Sequence, residues 1–144
     1  MDFMPMKTLS LRLEHFPGTL RVVVAEDTPA MRKMLEQILE LDFKVVAALS
    51  SAEAMMQMVQ KALPDVVVTD IQFPGKSGLT ALQELRAQGN NVPFVMISLD
   101  GHMKAQCFHD GALGFVGKDD LVPHLARAVR AAAAGEHYTT EIEE

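Results

Sequence analysis

Apolar and polar positions along the chain follow two rhythms. The stretches Leu20–Ala25, Phe43–Leu49, Val66–Val68, Phe94–Ile97 and Phe115-Val116 are apolar almost without interruption. Continuous apolar runs of this length predict strands buried on both faces, as in a parallel sheet. Between them, apolar residues recur three and four apart. Met31, Met34, Leu35 and Ile38 predict a helix running to about Leu41, and Met55, Met58, Val59 and Ala62 a second. Leu79, Leu82 and Leu85 mark a third over Gly78 to Ala87, and Leu121, Val122, Leu125 and Val129 face inward from the last, which continues to Gly135. Gly101 to Asp110 is a weaker helix with few core positions. Thr28-Pro29 opens the first helix. Ser50 with Glu53 forms a capping box for the second, and Leu63-Pro64 ends it. Gly89-Asn90 breaks the third. Asp119-Asp120 bring negative charge to the start of the last. The methionine stripe at helical spacing reads as core rather than as a pliable binding face.

Five strands alternating with helices imply an α/β domain with a parallel sheet and right-handed crossovers. The expected architecture is doubly wound and flavodoxin-like, with five strands in the order 2-1-3-4-5 and helices on both faces. A chain of 144 residues suits one such core. Residues 20–135 form the expected domain, 1–19 an N-terminal extension and 136–144 an acidic C-terminal tail or the start of a linker. Within the extension, Leu9, Leu11 and Leu13 alternate with polar residues and Pro17-Gly18 signals a turn. That pattern fits a short edge strand or a terminal tail, and a tail is expected there.

Charge and cysteine use narrow the function. The formal net charge is −6, and Glu136, Glu141, Glu143 and Glu144 account for −4 of it. That balance argues against direct nucleic-acid binding by this chain. The one cysteine, Cys107, rules out an internal disulfide and a cysteine-rich metal site. No apolar run approaches a membrane span, and the start of the chain lacks the compact apolar block of a secretory signal. The expected compartment is the cytoplasm.

The chemistry gathers where the strands end. Glu26 and Asp27 follow the first strand, Asp70 the third, Ser98 the fourth and Lys118 the fifth. Ser50 and Ser51 after the second are explained as caps. In the expected order the first and third strands are neighbours, ~4.8 Å apart. Two carboxylates ~5 Å apart repel by roughly 3 kcal/mol at an effective dielectric near 20. Such a cluster wants a cation, and all-oxygen ligation with room for water favours Mg²⁺. A carboxylate beside Mg²⁺ and a lysine suits phosphoryl transfer through an aspartyl phosphate, with Ser98 donating a hydrogen bond. Gly75-Lys76-Ser77 imitates the end of a phosphate-binding loop, but that pattern needs glycine where Asp70 stands. His15, His102, His109, His124 and His137 show no ligand spacing, and only His102 falls near the pocket. Cys107 has no catalytic partner pattern and reads as semi-buried structure.

Taken together, Val22-Val-Val-Ala-Glu26-Asp27, Val66-Val-Val-Thr-Asp70-Ile-Gln-Phe-Pro74-Gly-Lys-Ser-Gly78, Ser98 and Gly111-Ala-Leu-Gly-Phe115-Val-Gly-Lys118 resemble the receiver domain of bacterial two-component response regulators over roughly residues 20 to 135. The resemblance implies that Asp70 accepts a phosphoryl group from a phosphohistidine on a sensor histidine kinase or phosphotransfer protein. It implies that Asp27, Asp70 and the Gln72 carbonyl hold Mg²⁺, with Glu26 acting through water. Lys118 would contact the phosphoryl group, and Ser98 and Phe115 would form a switch pair. The fourth helix, fifth strand and fifth helix would be the output surface, able to pair two copies. The chain would be a signalling domain that assists its own phosphorylation and dephosphorylation, not an enzyme acting on an external substrate.

Several positions depart from the family pattern. Leu99 stands where a small residue is usual and could narrow access to Asp70, with Asp100 adding negative charge. Phe73 replaces a more usual Met. Asp119 follows Lys118 where many receivers have Pro, so the local geometry is expected to differ. Phe115 replaces Tyr. The ending Gly135-Glu-His-Tyr-Thr-Thr-Glu resembles the start of the linker in regulators with a C-terminal helix-turn-helix domain, which leaves a stand-alone receiver or a fragment of a longer regulator. Two other readings compete. One is a non-phosphorylated pseudo-receiver acting as a protein–protein interaction module. The other is a Mg²⁺-dependent phosphatase, which Gln72 weakens by standing where such enzymes carry a second acid.

Overall fold

The computed structural model describes residues 19–141. The Leu9–Leu13 alternation and the Pro17-Gly18 turn lie outside the described residues. In chain order the elements are β1 (Arg21–Ala25), α1 (Pro29–Glu40), β2 (Lys44–Leu49), α2 (Ala52–Ala62), β3 (Val66–Asp70), α3 (Gly78–Ala87), β4 (Phe94–Ser98), α4 (Lys104–His109), β5 (Gly114–Gly117), α5 (Leu121–Ala133) and β6 (Tyr138–Thr139). All strands are parallel, in the order β2-β1-β3-β4-β5-β6. No helix among the described residues is long and apolar enough to cross a membrane.

Alternation along the buried strands divides the core in two. Val23, Val67, Phe94, Met96 and Phe115 join the face covered by α2 and α3. Val22, Val24, Val66, Val68, Val95, Ile97 and Val116 join the face covered by α1 and α5. Both faces of β3 are therefore apolar, which is why its valines run without interruption. Each fully buried valine contributes roughly 1.5 to 3 kcal/mol of transfer free energy.

Four expectations are corrected. The sheet has six strands rather than five. The sixth lies in the stretch read as a tail: Gly135, at φ 78°, turns the chain after α5, and Tyr138 N then donates to Leu113 O at 2.9 Å. The cap of α2 is Ser51, not Ser50; its hydroxyl accepts from Ala54 N at 3.1 Å. The buried stripe of α2 is Ala52, Met55, Met56 and Val59, with Met58 and Ala62 only half-buried. Val122 points to solvent, 71% exposed, with φ −109° and ψ 122°. The residue before a proline is driven out of the helical region, and Pro123 follows it. After Lys118, where Asp119 stands in place of Pro, the chain runs into a short 3₁₀ turn, Lys118–Asp120, and a cis peptide lies further on, between Val122 and Pro123.

The end of β3 is fixed by a close approach. A Cβ on Gly78 would collide with the Asp70 carbonyl oxygen, so only glycine lets α3 start against the strand end. Gly78 N donates to Ile71 O at 2.8 Å. Ser77 caps α3 by accepting from Thr80 N at 3.0 Å.

Candidate functional site

Three carboxylates meet at the carboxyl edge of the sheet. One oxygen from each of Glu26, Asp27 and Asp70 lies within 4.8 Å of the others. β1 and β3 are neighbours, in register from Val22 opposite Val66 to Ala25 opposite Thr69, so their next residues emerge side by side. Glu26 is fully buried and Asp70 nearly so, while Asp27 is half-buried. The arrangement is costly in isolation, because neighbouring negative charges repel in a partly dehydrated site.

Lys118 answers part of that cost. Its Nζ lies 3.1 Å from Asp70 Oδ2 and 3.1 Å from Glu26 Oε1. Burial alone would pull the ammonium pKa down. The hydrogen bond and charge of Asp70, then those of Glu26, outweigh it and hold Lys118 above the ordinary lysine value. The other Glu26 oxygen accepts from Thr28 N at 3.0 Å. Asp70 Oδ1 accepts from Gln72 N at 3.3 Å. Arg32, which the sequence reading did not single out, donates to the Glu26 carbonyl at 2.9 Å and pins the turn that carries the acids.

An open cleft of about 480 Å³ lies over these groups. Asp27, Asp70, Gln72, Ser98 and Lys118 all line it. Its mouth is formed by Phe73, Pro74, Leu99, Asp100, His102 and Met103. Leu99 is 72% exposed, so it borders the opening without covering Asp70. His102 lines the cleft and is exposed, as its position after β4 suggested. Ser98 is half-buried, and its Oγ accepts from Asp100 N at 3.3 Å. Phe115 stands apart from the cleft. It is fully buried, with its ring centroid 6.5 Å from that of Phe108. The ring therefore stands inward in this conformation.

The donor set fits a hard divalent cation. All the side-chain atoms offered by the cluster are carboxylate oxygens, and no thiol or imidazole joins them among the described residues. Glu26 Oε1 is buried and accepts no aligned hydrogen bond; the Lys118 ammonium is its charge partner. A buried carboxylate oxygen so poorly supplied is what a cation with bound water would satisfy.

Residues 22–130 match the family model for the response regulator receiver domain. A nitrate/nitrite response regulator protein homolog of Haemophilus influenzae is 33% identical over 121 residues, which cover 81% of this chain and 58% of that protein. A protein-glutamate methylesterase/protein-glutamine glutaminase of a Nocardioides species is 36% identical over 112 residues, 76% of this chain but 30% of that protein. The chain thus spans about three fifths of the first relative and under a third of the second. Among solved structures, the signal receiver domain of NarL from Mycobacterium tuberculosis superposes with a TM-score of 0.78 at 28% identity, covering 83% of this chain and 100% of that one. The non-phosphorylated receiver domain of RcsB from Escherichia coli gives a TM-score of 0.78 at 20% identity over 85% of this chain and 99% of that one, a likeness of fold alone.

Proposed function

The chain belongs to the response regulator receiver domain family of two-component signalling, and from that premise we propose that Asp70 is its phosphoacceptor. The observation that carries this reading is the meeting of Asp70 with Glu26, Asp27 and Lys118 at one cleft. The phosphodonor is a phosphohistidine on a sensor kinase or phosphotransfer protein. An Asp70 carboxylate oxygen attacks phosphorus, and the phosphorus–nitrogen bond of the donor breaks. The bonding pair leaves on the imidazole nitrogen, which takes a proton from solvent. Return to the resting state follows when water attacks phosphorus, the bond to Asp70 breaks, and inorganic phosphate departs.

Mg²⁺ would be held by Asp27, Asp70 and the Gln72 carbonyl, with Glu26 acting through water, and would offset charge on the phosphoryl oxygens. Lys118 has its ammonium already placed beside Asp70 and needs only to shift from carboxylate to phosphoryl oxygen. Ser98, at the end of the next strand, donates its hydroxyl to the new group. The same hydroxyl accepts from Asp100 N and can do both at once, so the bond to the phosphoryl group ties the turn before α4 to the phosphoryl state. Ser98 and Phe115 are the proposed switch pair, and the α4–β5–α5 face is the proposed output and pairing surface. α4 has six residues and buries Cys107 as its one fully buried side chain, which suits an element that rearranges cheaply. The receiver unit is taken to start near residue 20 and to include β6.

The test is to incubate the chain with Mg²⁺ and phosphoramidate or beryllofluoride and look for an adduct on Asp70. One modification per chain, absent in Asp70→Asn, is expected. No adduct on a folded chain would leave an interaction module instead, and continuous turnover of a phosphate ester would make it a phosphatase.

A further inference from the structure

Thr140 is 6% exposed, between Thr139 and Glu141, which are both exposed. Its burial has a specific cause. Thr140 N donates to Phe115 O at 3.1 Å, and Thr140 Oγ1 accepts from Gly117 N at 3.0 Å. Backbone pairing between β5 and β6 ends at Phe115 opposite Thr139. The Thr140 side chain therefore extends the ladder by one rung, at the residue immediately before Lys118.

Gly117 is held from both sides as a result. On one side β5 is in register with β4, Ser98 opposite Gly117. On the other the Thr140 hydroxyl takes its N–H. Gly117 has no side chain to anchor it, so these backbone contacts set where the next residue starts. From there the long Lys118 side chain must bring one nitrogen to 3.1 Å from both Glu26 and Asp70. A flexible lysine finds such a point reproducibly only when its base is fixed.

We infer that Thr140 is a positioning residue for Lys118, so that the strand after α5 sets the reach of the ammonium into the phosphoryl cleft. This rests on the reading of Asp70 as phosphoacceptor. The contact is reciprocal: whatever draws Lys118 onto a phosphoryl group must also bias the Gly117–Thr140 rung. The phosphoryl state is thereby felt at β6.

Thr140→Val keeps the volume and removes the acceptor, whereas Thr140→Ser keeps the hydroxyl. With the full chain, Thr140→Val should label with phosphoramidate about five- to tenfold more slowly and bind beryllofluoride correspondingly less tightly. Its Mg²⁺ affinity should not fall, because the Lys118 ammonium shares Asp70 and Glu26 with the cation, and loosening it removes a competitor rather than a ligand. Thr140→Ser should restore the wild-type values. Wild-type rates in folded Thr140→Val would overturn the inference, as would equal losses in both variants or a parallel loss of Mg²⁺ affinity, which are signs of a merely loosened edge. Should Thr140→Val not fold, amide exchange at Gly117 in the wild type decides: slower exchange with beryllofluoride supports the coupling, and no change counts against it. Wild-type chain that takes neither phosphoramidate nor beryllofluoride would instead sink the reading of Asp70 itself.

Discussion

The Cys107 thiol lies in the core beneath α4 with no exposed surface, and the Lys118 ammonium lies at the carboxyl edge of the sheet with its side chain 12% exposed. Both have raised pKa values, for opposite reasons. At Cys107 burial, aided by the charge of Asp110, disfavours the thiolate and pushes the pKa up to about 12. At Lys118 burial opposes the charged form, and Asp70 and Glu26 overrule it. The core keeps its ionisable group neutral, while the site keeps its own charged by supplying opposite charge. Water exclusion alone therefore does not say what a buried group will do; the partners placed around it decide. The same contrast separates the two ends of β3, where valines settle stability and Asp70, three residues after Val67, concentrates charge.

The largest effect expected from this contrast is chemical silence at Cys107. Near pH 8 its thiolate population should be about a thousandfold below that of an unfolded chain. Alkylation with iodoacetamide should therefore track global or local opening, accelerating sharply in urea. Rapid labelling under native conditions would break the comparison. The sign for stability follows from the raised value. The contribution of Cys107 is complete below its ordinary pKa near 9 and is lost as pH rises toward about 12. Denaturant melts across that window should show stability falling with pH.

Next in size is a core truncation remote from the cleft. Leu82→Ala removes a fully buried side chain from the α2–α3 face and should cost about 3 kcal/mol. Asp70 labelling should keep its rate wherever the variant is folded. A labelling defect of comparable size would show that core and site are not separable.

Asp27→Asn should act in the other direction. Among the described residues no lysine or arginine forms an ion pair with Asp27, whereas Lys118 serves Glu26 and Asp70. Removing one negative charge should stabilise the metal-free chain by about 1 kcal/mol. It should also abolish the rise in Tm that Mg²⁺ is expected to give the wild type. A destabilised variant, or one still stabilised by Mg²⁺, would mean that the acids are not competing for a cation.

The strands, their order through β5 and the gathering of Glu26, Asp27, Asp70, Ser98 and Lys118 were legible because each rests on a strong signal. Continuous valines leave little choice, and strand adjacency then brings the strand-end residues together. What escaped had weak or divided signals. β6 has only Tyr138 and Thr139, too short for a period, with charge on either side. Its stability comes from β5 and from the 2.6 Å contact between His124 Nδ1 and the Tyr138 hydroxyl, which no local pattern announces. Ser50 and Ser51 are equally good caps, and Glu53 made the wrong one attractive. Val122 fits the helical stripe by spacing, yet Pro123 was the visible reason to place it outside. Cys107 proved fully buried rather than semi-buried because it shares a buried cluster with Phe115 and Ala112, with Ala112 N donating to its carbonyl at 2.9 Å.

Leu99 offers the smallest and finest test of the site. Its side chain borders the cleft but is largely in water, so it restricts the approach of a donor more than it covers Asp70. Truncating it should widen the mouth without touching any carboxylate. Leu99→Ala is therefore expected to accelerate labelling by acetyl phosphate about threefold, well under 1 kcal/mol of activation free energy. Asp100 beside it acts differently, by repelling an anionic donor, and Asp100→Asn should give a gain that shrinks as salt is added. The gain from Leu99→Ala should persist at high salt, because it is steric. Equal rates for wild type and Leu99→Ala would show that the apolar rim does not limit access, and that the charge of the cleft alone sets how fast a small donor reaches Asp70.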